Sequence, residues 1–242
     1  MTGAAPAGRK DSISILPVER LDLRLTPYAW TFAAERRSEI DTFFAERQRR
    51  HSGMWNGRVL MLDEFAVDGA TFRGAFFETD FAAFHAWSQW DFPDDSVKNG
   101  FAAGALRSAD GAFVLGEMGP HTANAGHIYF PCGTPDPDDV IGSRVDLDGS
   151  VRREIEEETG IGEGDYEAEP GWHVMLAGPR VALVKVLQAS DDAATLRRRI
   201  EESLARQAAP ELAGIRLVRS AADFEPMIAE FVTAFLSHMW SR

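Results

Sequence analysis

Residues Arg152-Arg153-Glu154-Ile155-Glu156-Glu157-Glu158-Thr159-Gly160-Ile161 constrain this chain more than any other stretch. With Leu147 and Val151 they put apolar side chains at helical spacing, so a helix through Glu158 with a buried stripe is expected. Glu154, Glu157 and Glu158 then stand at i, i+3 and i+4 on another face. Like charges at that spacing repel by roughly 0.2–0.5 kcal/mol per pair, and the macrodipole disfavours anions near a helix C-terminus. Both arginines stand at the wrong end to relieve this. Gly160 suits a left-handed cap that stops the helix. A helix built against its own electrostatics points to a compensating cation; a hard divalent ion such as magnesium matches carboxylate oxygens and binds phosphate as well. A solvated acidic face is the competing explanation, and charge alone does not separate the two.

The chain has 242 residues, 45% of them hydrophobic, enough for one large or two small domains. A formal net charge of -13 opposes contact with nucleic acid, which needs many phosphates neutralised by Lys and Arg. A small anionic ligand is still admissible if cations bring it in. Cys132 is the only cysteine, which rules out an intramolecular disulfide, argues against a cysteine zinc site and favours a reducing, cytoplasmic setting. Residues 1–10 lack an apolar h-region, and no run approaches the roughly 20 apolar residues that span a bilayer, so a soluble protein is expected.

Residues 12–25 alternate weakly and are expected to hold a strand, followed by Pro27 and a helix over about 30–50 with Ile40, Phe43 and Phe44 on one face. Residues 58–78 read as a β-hairpin turning at Asp68-Gly69, a dipeptide suited to a type I′ turn. A second hairpin is expected over 101–116 around Asp110-Gly111, with an aromatic segment over 81–90 between the two. Pro93, Asp94 and Asp95 mark a boundary. That divides the chain into an N-terminal α+β region, 1–98, packed on a core, 99–242. The core reads as a strand at 128–130, a long Pro/Asp/Gly loop to Asp146, the acidic helix, a strand at 181–187, a helix at 193–206 and a strand at 215–218. Phe224, Met227, Ile228, Phe231, Val232, Phe235, Leu236 and Met239 fall at helical spacing and predict one apolar helix face. Core packing is the favoured use of that face over a dimer interface or membrane contact, because few basic residues flank it.

The acidic segment resembles the second half of the Nudix box, Arg-Glu-aliphatic-x-Glu-Glu-x-Gly-aliphatic. Arg153, Glu154, Ile155, Glu157, Glu158, Gly160 and Ile161 meet every specified position. Residue usage makes a chance match on the order of one in 100,000. The resemblance implies a Nudix-type α/β/α sandwich with a mixed sheet, preceded by the N-terminal α+β region. It implies that Glu154, Glu157 and Glu158 ligate metal, magnesium first and manganese as a substitute. A backbone carbonyl at Cys132 would add a ligand, and Arg153 would orient a carboxylate. The first half of the box departs from the pattern: at strict spacing its glycine falls on Asp139 and its glutamate on Val145. Phe130-Pro131-Cys132-Gly133 is similar to the Phe-Pro-Gly-Gly run that leads into the box, which implies an insertion before the helix. Asp139 or Asp146 is then the candidate to replace the missing carboxylate. Cys132 itself reads as a small side chain filling a glycine site.

The same resemblance implies metal-assisted hydrolysis of a diphosphate linkage into two phosphorylated fragments. A general base is expected from the loop after the box, with Glu211 the first candidate, Glu201 and Glu202 next and His173 behind them. Each is also an ordinary surface residue. Gly133, His121 and His127 are candidates for substrate contact, the histidines lying in a Gly-rich loop beside the presumed site. The Trp55-Asn56-Gly57 turn and the aromatic stretch after it resemble Nudix hydrolases of UDP-sugars. Gly126 followed by Phe130-Pro131-x-Gly133 resembles the loop of coenzyme A diphosphatases, with Asn124 where those carry histidine. An ADP-ribose type substrate is a third option. Trp55 and Phe130 are expected in the core. The partner expected is a small nucleotide, not nucleic acid or membrane, and a homodimer is compatible with the sequence. The rival reading is a non-catalytic Nudix domain that binds a nucleotide or protein as a regulator. Loss of the first-half Gly and Glu supports it; retention of all three helix carboxylates opposes it.

Overall fold

The computed structural model describes residues 13–51, 53–122 and 124–241. The weakly alternating start yields two strands, β1 (Ser14–Val18) and β2 (Arg20–Leu25), which join different sheets. The helix expected over 30–50 is broken into α1 (Thr31–Glu35) and α2 (Arg37–Arg50), because Arg36 leaves helical geometry at φ -103° and ψ 17°. β3 (Arg58–Asp68) and β4 (Thr71–Asp80) form the first hairpin. Asp68 pairs with Thr71, so the turn is centred on Gly69-Ala70, and of these only Gly69 has positive φ, 57°. That is the pattern of a type II′ turn, in place of the expected type I′. Asp80 then caps α3 (Phe81–Gln89) by accepting from Ala83 N.

The second expected hairpin is one only at its base. β5 (Asn99–Arg107) and β6 (Phe113–Met118) pair at Arg107 and Phe113 and then splay apart. The gap admits β7 (Ile128–Tyr129) against β6 and β8 (Cys132–Gly133) against β5. The chain continues through β9 (Val140–Ile141), β10 (Arg144–Val145) and α4 (Leu147–Thr159). It ends with β11 (Tyr166–Ala168), β12 (Trp172–Ala177), β13 (Arg180–Ala189), α5 (Ala193–Leu204), β14 (Leu212–Val218) and α6 (Glu230–Trp240). α6 is shorter than expected. Pro226 keeps Glu225 from helical geometry, and beyond it Ile228 bridges to Ile128 and Ala229 is non-helical at φ -58° and ψ 140°, so Phe224, Met227 and Ile228 lie ahead of the helix; Met227 is 44% exposed.

The fold is α/β with a mixed main sheet, as expected. Its central order is β1-β12-β13-β5-β6-β14, and β13 runs parallel to β5 while the other pairings are antiparallel. One face buries Val151 and Ile155 of α4 with Leu196, Ile200 and Leu204 of α5. The other buries Val232, Phe235 and Leu236 of α6. A smaller sheet, β3-β4-β2-β10-β9, sends Leu60, Leu62, Phe72 and Phe76 into the first of these cores. Its opposite face, with Met61 and Phe77, is covered by Ile40, Phe44 and Trp87 from the N-terminal helices. The two sheets exchange strands across position 98. β1 comes from the N-terminal region and edges the main sheet, whereas β9 and β10 come from the core and extend the smaller one. Among the described residues no helix is long and apolar enough to cross a membrane.

Candidate functional site

Helix α4 is positioned tightly. Asp146 caps its start by accepting from Gly149 N at 3.1 Å, and Gly160 ends it in the left-handed region at φ 72°. Ile155 is fully buried against β5 at Gly104, where an added Cβ would lie 2.7 Å from Ile155 side-chain carbons. Burying such a side chain is worth roughly 1.5–3 kcal/mol, and the absent Cβ lets the helix approach closely enough to gain it. The helix is thereby fixed with Glu154 and Glu158 turned toward the β7–β8 segment.

Glu158 is only 4% exposed. Its Oε1 accepts from Cys132 N at 3.3 Å, while its Oε2 is buried without a hydrogen-bond partner among the described residues. Burial, then the charges of Glu211 and Glu154, push its pKa up to about 9. Glu154 lies over Gly133, where an added Cβ would sit 2.5 Å from Glu154 Oε1. Burial raises its pKa to about 7, against the pull of Arg153 and with help from Glu157 and Glu211. Glu157 turns outward, with its side chain 64% exposed. Among the described residues no three His, Cys, Asp or Glu side chains are gathered closely enough to hold a metal by themselves.

Arg153 links these acids. Its Nη1 donates to Glu154 Oε1 at 2.9 Å and its Nη2 to Asp139 Oδ1 at 2.8 Å, with Glu157 at 3.8 Å. Asp139 is buried and also accepts from Asp136 N at 3.0 Å and the Ser150 hydroxyl at 3.4 Å. Of the two acids that could replace the missing box glutamate, Asp139 therefore meets the arginine and Asp146 serves as the helix cap. Val145, at the glutamate position itself, is a buried apolar residue of β10.

Glu211 lies exposed just before β14, its carbonyl accepting from Gly119 N at 2.7 Å. Its charge raises the pKa values of Glu154 and Glu158, which puts it beside the same site. Glu201 and Glu202 instead pair with Arg197 and Arg198 along α5. His173 packs under α6 against Phe235 at 5.3 Å, on the other face of the sheet. His121 is exposed next to Gly119, and His127 is exposed with its carbonyl accepting from Met118 N. The Cys132 thiol is raised well above its ordinary pKa by burial and by the neighbouring Glu158, as suits a filler and not a nucleophile. Phe130 is in the core as expected, but Trp55 is 58% exposed, 6.2 Å from Phe81. Two polar groups at the site had no signal in the sequence: Tyr129, whose hydroxyl accepts from Asn124 Nδ2 at 3.2 Å, and the Cys132 backbone N–H on Glu158.

No family model matches this chain, and no curated protein does. Among solved structures it is similar to RenU, a Nudix hydrolase from M. smegmatis, at 16% identity over 60% of this chain and 87% of that one, with a TM-score of 0.39. It is similar to the MutT protein of Methanosarcina mazei Go1 at 18% identity over 60% of this chain and 94% of that one, TM-score 0.39. A third likeness is to a pyrophosphohydrolase of Bacillus subtilis, at 12% identity over 78% of this chain and 94% of that one, TM-score 0.39.

Proposed function

We propose that this chain is a Nudix-type hydrolase that uses a divalent cation to cleave the diphosphate linkage of a small nucleoside-diphosphate compound. One observation carries the reading. The helix that holds the complete second half of the box turns Glu154 and Glu158 inward, and Glu158 buries an oxygen that nothing among the described residues satisfies. Leaving a carboxylate oxygen orphaned is costly unless something outside the chain meets it.

A divalent cation fits these residues. The donors are hard carboxylate oxygens, and magnesium commonly takes one or two of them and completes its shell with water and substrate phosphate. Glu154 and Glu158 would hold it from the helix, the Cys132 carbonyl from the facing loop and Glu157 from the solvent side. When bound, such an ion supplies charge neutralisation of the diphosphate and a more acidic attacking water. The chain's own groups do the rest. Arg153, gripped by Asp139, keeps Glu154 in place; Glu211 accepts the proton of the attacking water as general base. Gly133 keeps the floor of the site open by carrying no side chain. UDP-sugars, coenzyme A and ADP-ribose are the substrate classes in view. The net charge of -13 favours such small ligands over nucleic acid, and a lone cysteine suits a reducing cytoplasm.

The test is a phosphate-release screen of the purified protein over UDP-sugars, coenzyme A, ADP-ribose and dinucleotides, with magnesium and with excess chelator. Turnover of at least one compound, lost in chelator, is expected. No turnover across the panel, with nucleotide binding retained, would favour the regulatory binding domain.

A further inference from the structure

The splay between β5 and β6 holds a polar side chain beyond those of the box. Tyr129 stands on β7, paired with Gly116 of β6. Its neighbour Ile128 is buried on the α6 face, so alternation along the strand turns Tyr129 toward the α4 face; its ring packs against that core and also touches the α6-side core. Gly116 leaves room there, filled by Leu212, the residue after Glu211. The ring is partly buried, and its hydroxyl oxygen accepts from Asn124 Nδ2 at 3.2 Å. A phenol that accepts in this way still has its own proton to donate, and no acceptor for it is found among the described residues.

The surroundings decide what that proton is for. A phenol ionises only at about pH 10, so at neutral pH it is a neutral donor, and this one lies partly buried among Cys132, Glu158 and Glu211. Glu154, Glu158 and Glu211 are all acceptors when ionised and repel an anionic substrate. A cation offsets part of that repulsion, but each phosphate oxygen it leaves uncovered needs a hydrogen-bond donor. Resting on the diphosphatase reading, the geometry points to Tyr129 as a substrate-binding residue that donates its phenolic O–H to a diphosphate oxygen, its direction fixed by Asn124.

The test compares the native protein with Tyr129→Phe, which keeps the ring packing, and Asn124→Ala, which keeps the phenol and removes its anchor. Binding of methylenediphosphonate with magnesium is measured by calorimetry, alongside kcat and KM on a diphosphate the native protein hydrolyses. Tyr129→Phe is expected to weaken the probe and raise KM by about tenfold to a hundredfold, the usual range for a hydrogen bond to a charged group. Its kcat should change little and its ligand-free melting temperature should hold. Asn124→Ala should raise KM by a smaller factor. Native probe affinity and KM in Tyr129→Phe, beside an active native enzyme, overturn this assignment alone. Should Tyr129→Phe prove unstable, unchanged KM in Asn124→Ala overturns it. A native protein that neither binds the probe nor hydrolyses any diphosphate overturns the diphosphatase reading as well.

Discussion

Arg153 donates to Asp139 Oδ1 at 2.8 Å with one arm of its guanidinium and to Glu154 Oε1 at 2.9 Å with the other, so a buried loop acid and a site carboxylate share one cation. Asp139→Ala leaves that cation with one of its two hydrogen bonds, that to Glu154. Because the Arg153 side chain is 36% exposed, water offsets part of the loss, and a destabilisation of about 1–2 kcal/mol is expected. The rate should fall about tenfold through misplacement of Glu154, with KM moving less. Urea melts and steady-state kinetics check this; a native rate would show that Asp139 supports the fold alone.

The sequence made α4 legible because its signals are local. The i, i+3, i+4 spacing of Glu154, Glu157 and Glu158, the Val151–Ile155 stripe and the Gly160 cap all act within two turns. What it hid depends on partners far along the chain. β12 has no signal in the sequence, since Trp172–Ala177 carries no alternation that separates it from a loop or a buried helix turn, and it becomes a strand by pairing with β1 and β13. The splay of β5 and β6 is invisible in a run that reads as one hairpin around Asp110-Gly111. Asp139 falls at the glycine position of the box at strict spacing, and only the path of the 136–146 loop brings its carboxylate to Arg153. Apolar spacing runs on through Pro226 from Phe224, whereas the helix itself begins at Glu230.

The close contact between α4 and β5 gives a second prediction. Gly104→Ala puts a methyl group 2.7 Å from the Ile155 side chain, so either the helix shifts or Ile155 leaves its rotamer. A loss of about 1–3 kcal/mol in stability is expected, with a lower rate as Glu154 and Glu158 move. Ile155→Val in the same chain should recover part of both. Calorimetry and kinetics on the single and double variants test the coupling, and additive losses would argue against a shared contact.

A third prediction concerns the N-terminal region. β1 pairs with β12 along the edge of the main sheet, and an added Cβ at Gly100 of β5 would sit 3.0 Å from the Phe76 ring of β4. Removing residues 1–98 would strip Leu60, Leu62, Phe72 and Phe76 from the core shared with α4. The remaining chain is expected to bind hydrophobic dye and lose its cooperative melt. A soluble, cooperatively folding and fully active 99–242 fragment would show the core to be independent.

The last prediction follows from the buried acid. In metal-free protein Glu158 has a folded-state pKa of about 9 against an ordinary 4.5. Below the ordinary value the carboxyl is protonated in both folded and unfolded chains, and its burial carries no ionisation penalty. As pH rises, the unfolded chain releases the proton while the folded one retains it. Stability from this group is therefore full below 4.5 and lost progressively as pH climbs toward 9. Glu158→Gln removes the titration, so the variant should lose less stability with rising pH. At neutral pH without metal it should be more stable than the native protein by about 1–3 kcal/mol. For a chain of this size that is about 2–4 °C in melting temperature per kcal/mol. On the proposed function magnesium should act in the opposite sense: it would bind the ionised carboxylate, so its stabilisation of the native protein should grow with pH, whereas Glu158→Gln should gain little. Glu156→Gln, on the exposed side of α4, should follow the native protein in both respects. Melts from about pH 5 to pH 8, with magnesium or chelator, separate the cases. Parallel pH slopes for the native protein and Glu158→Gln would mean that the carboxyl is solvated after all, and the cation site would lose its central ligand.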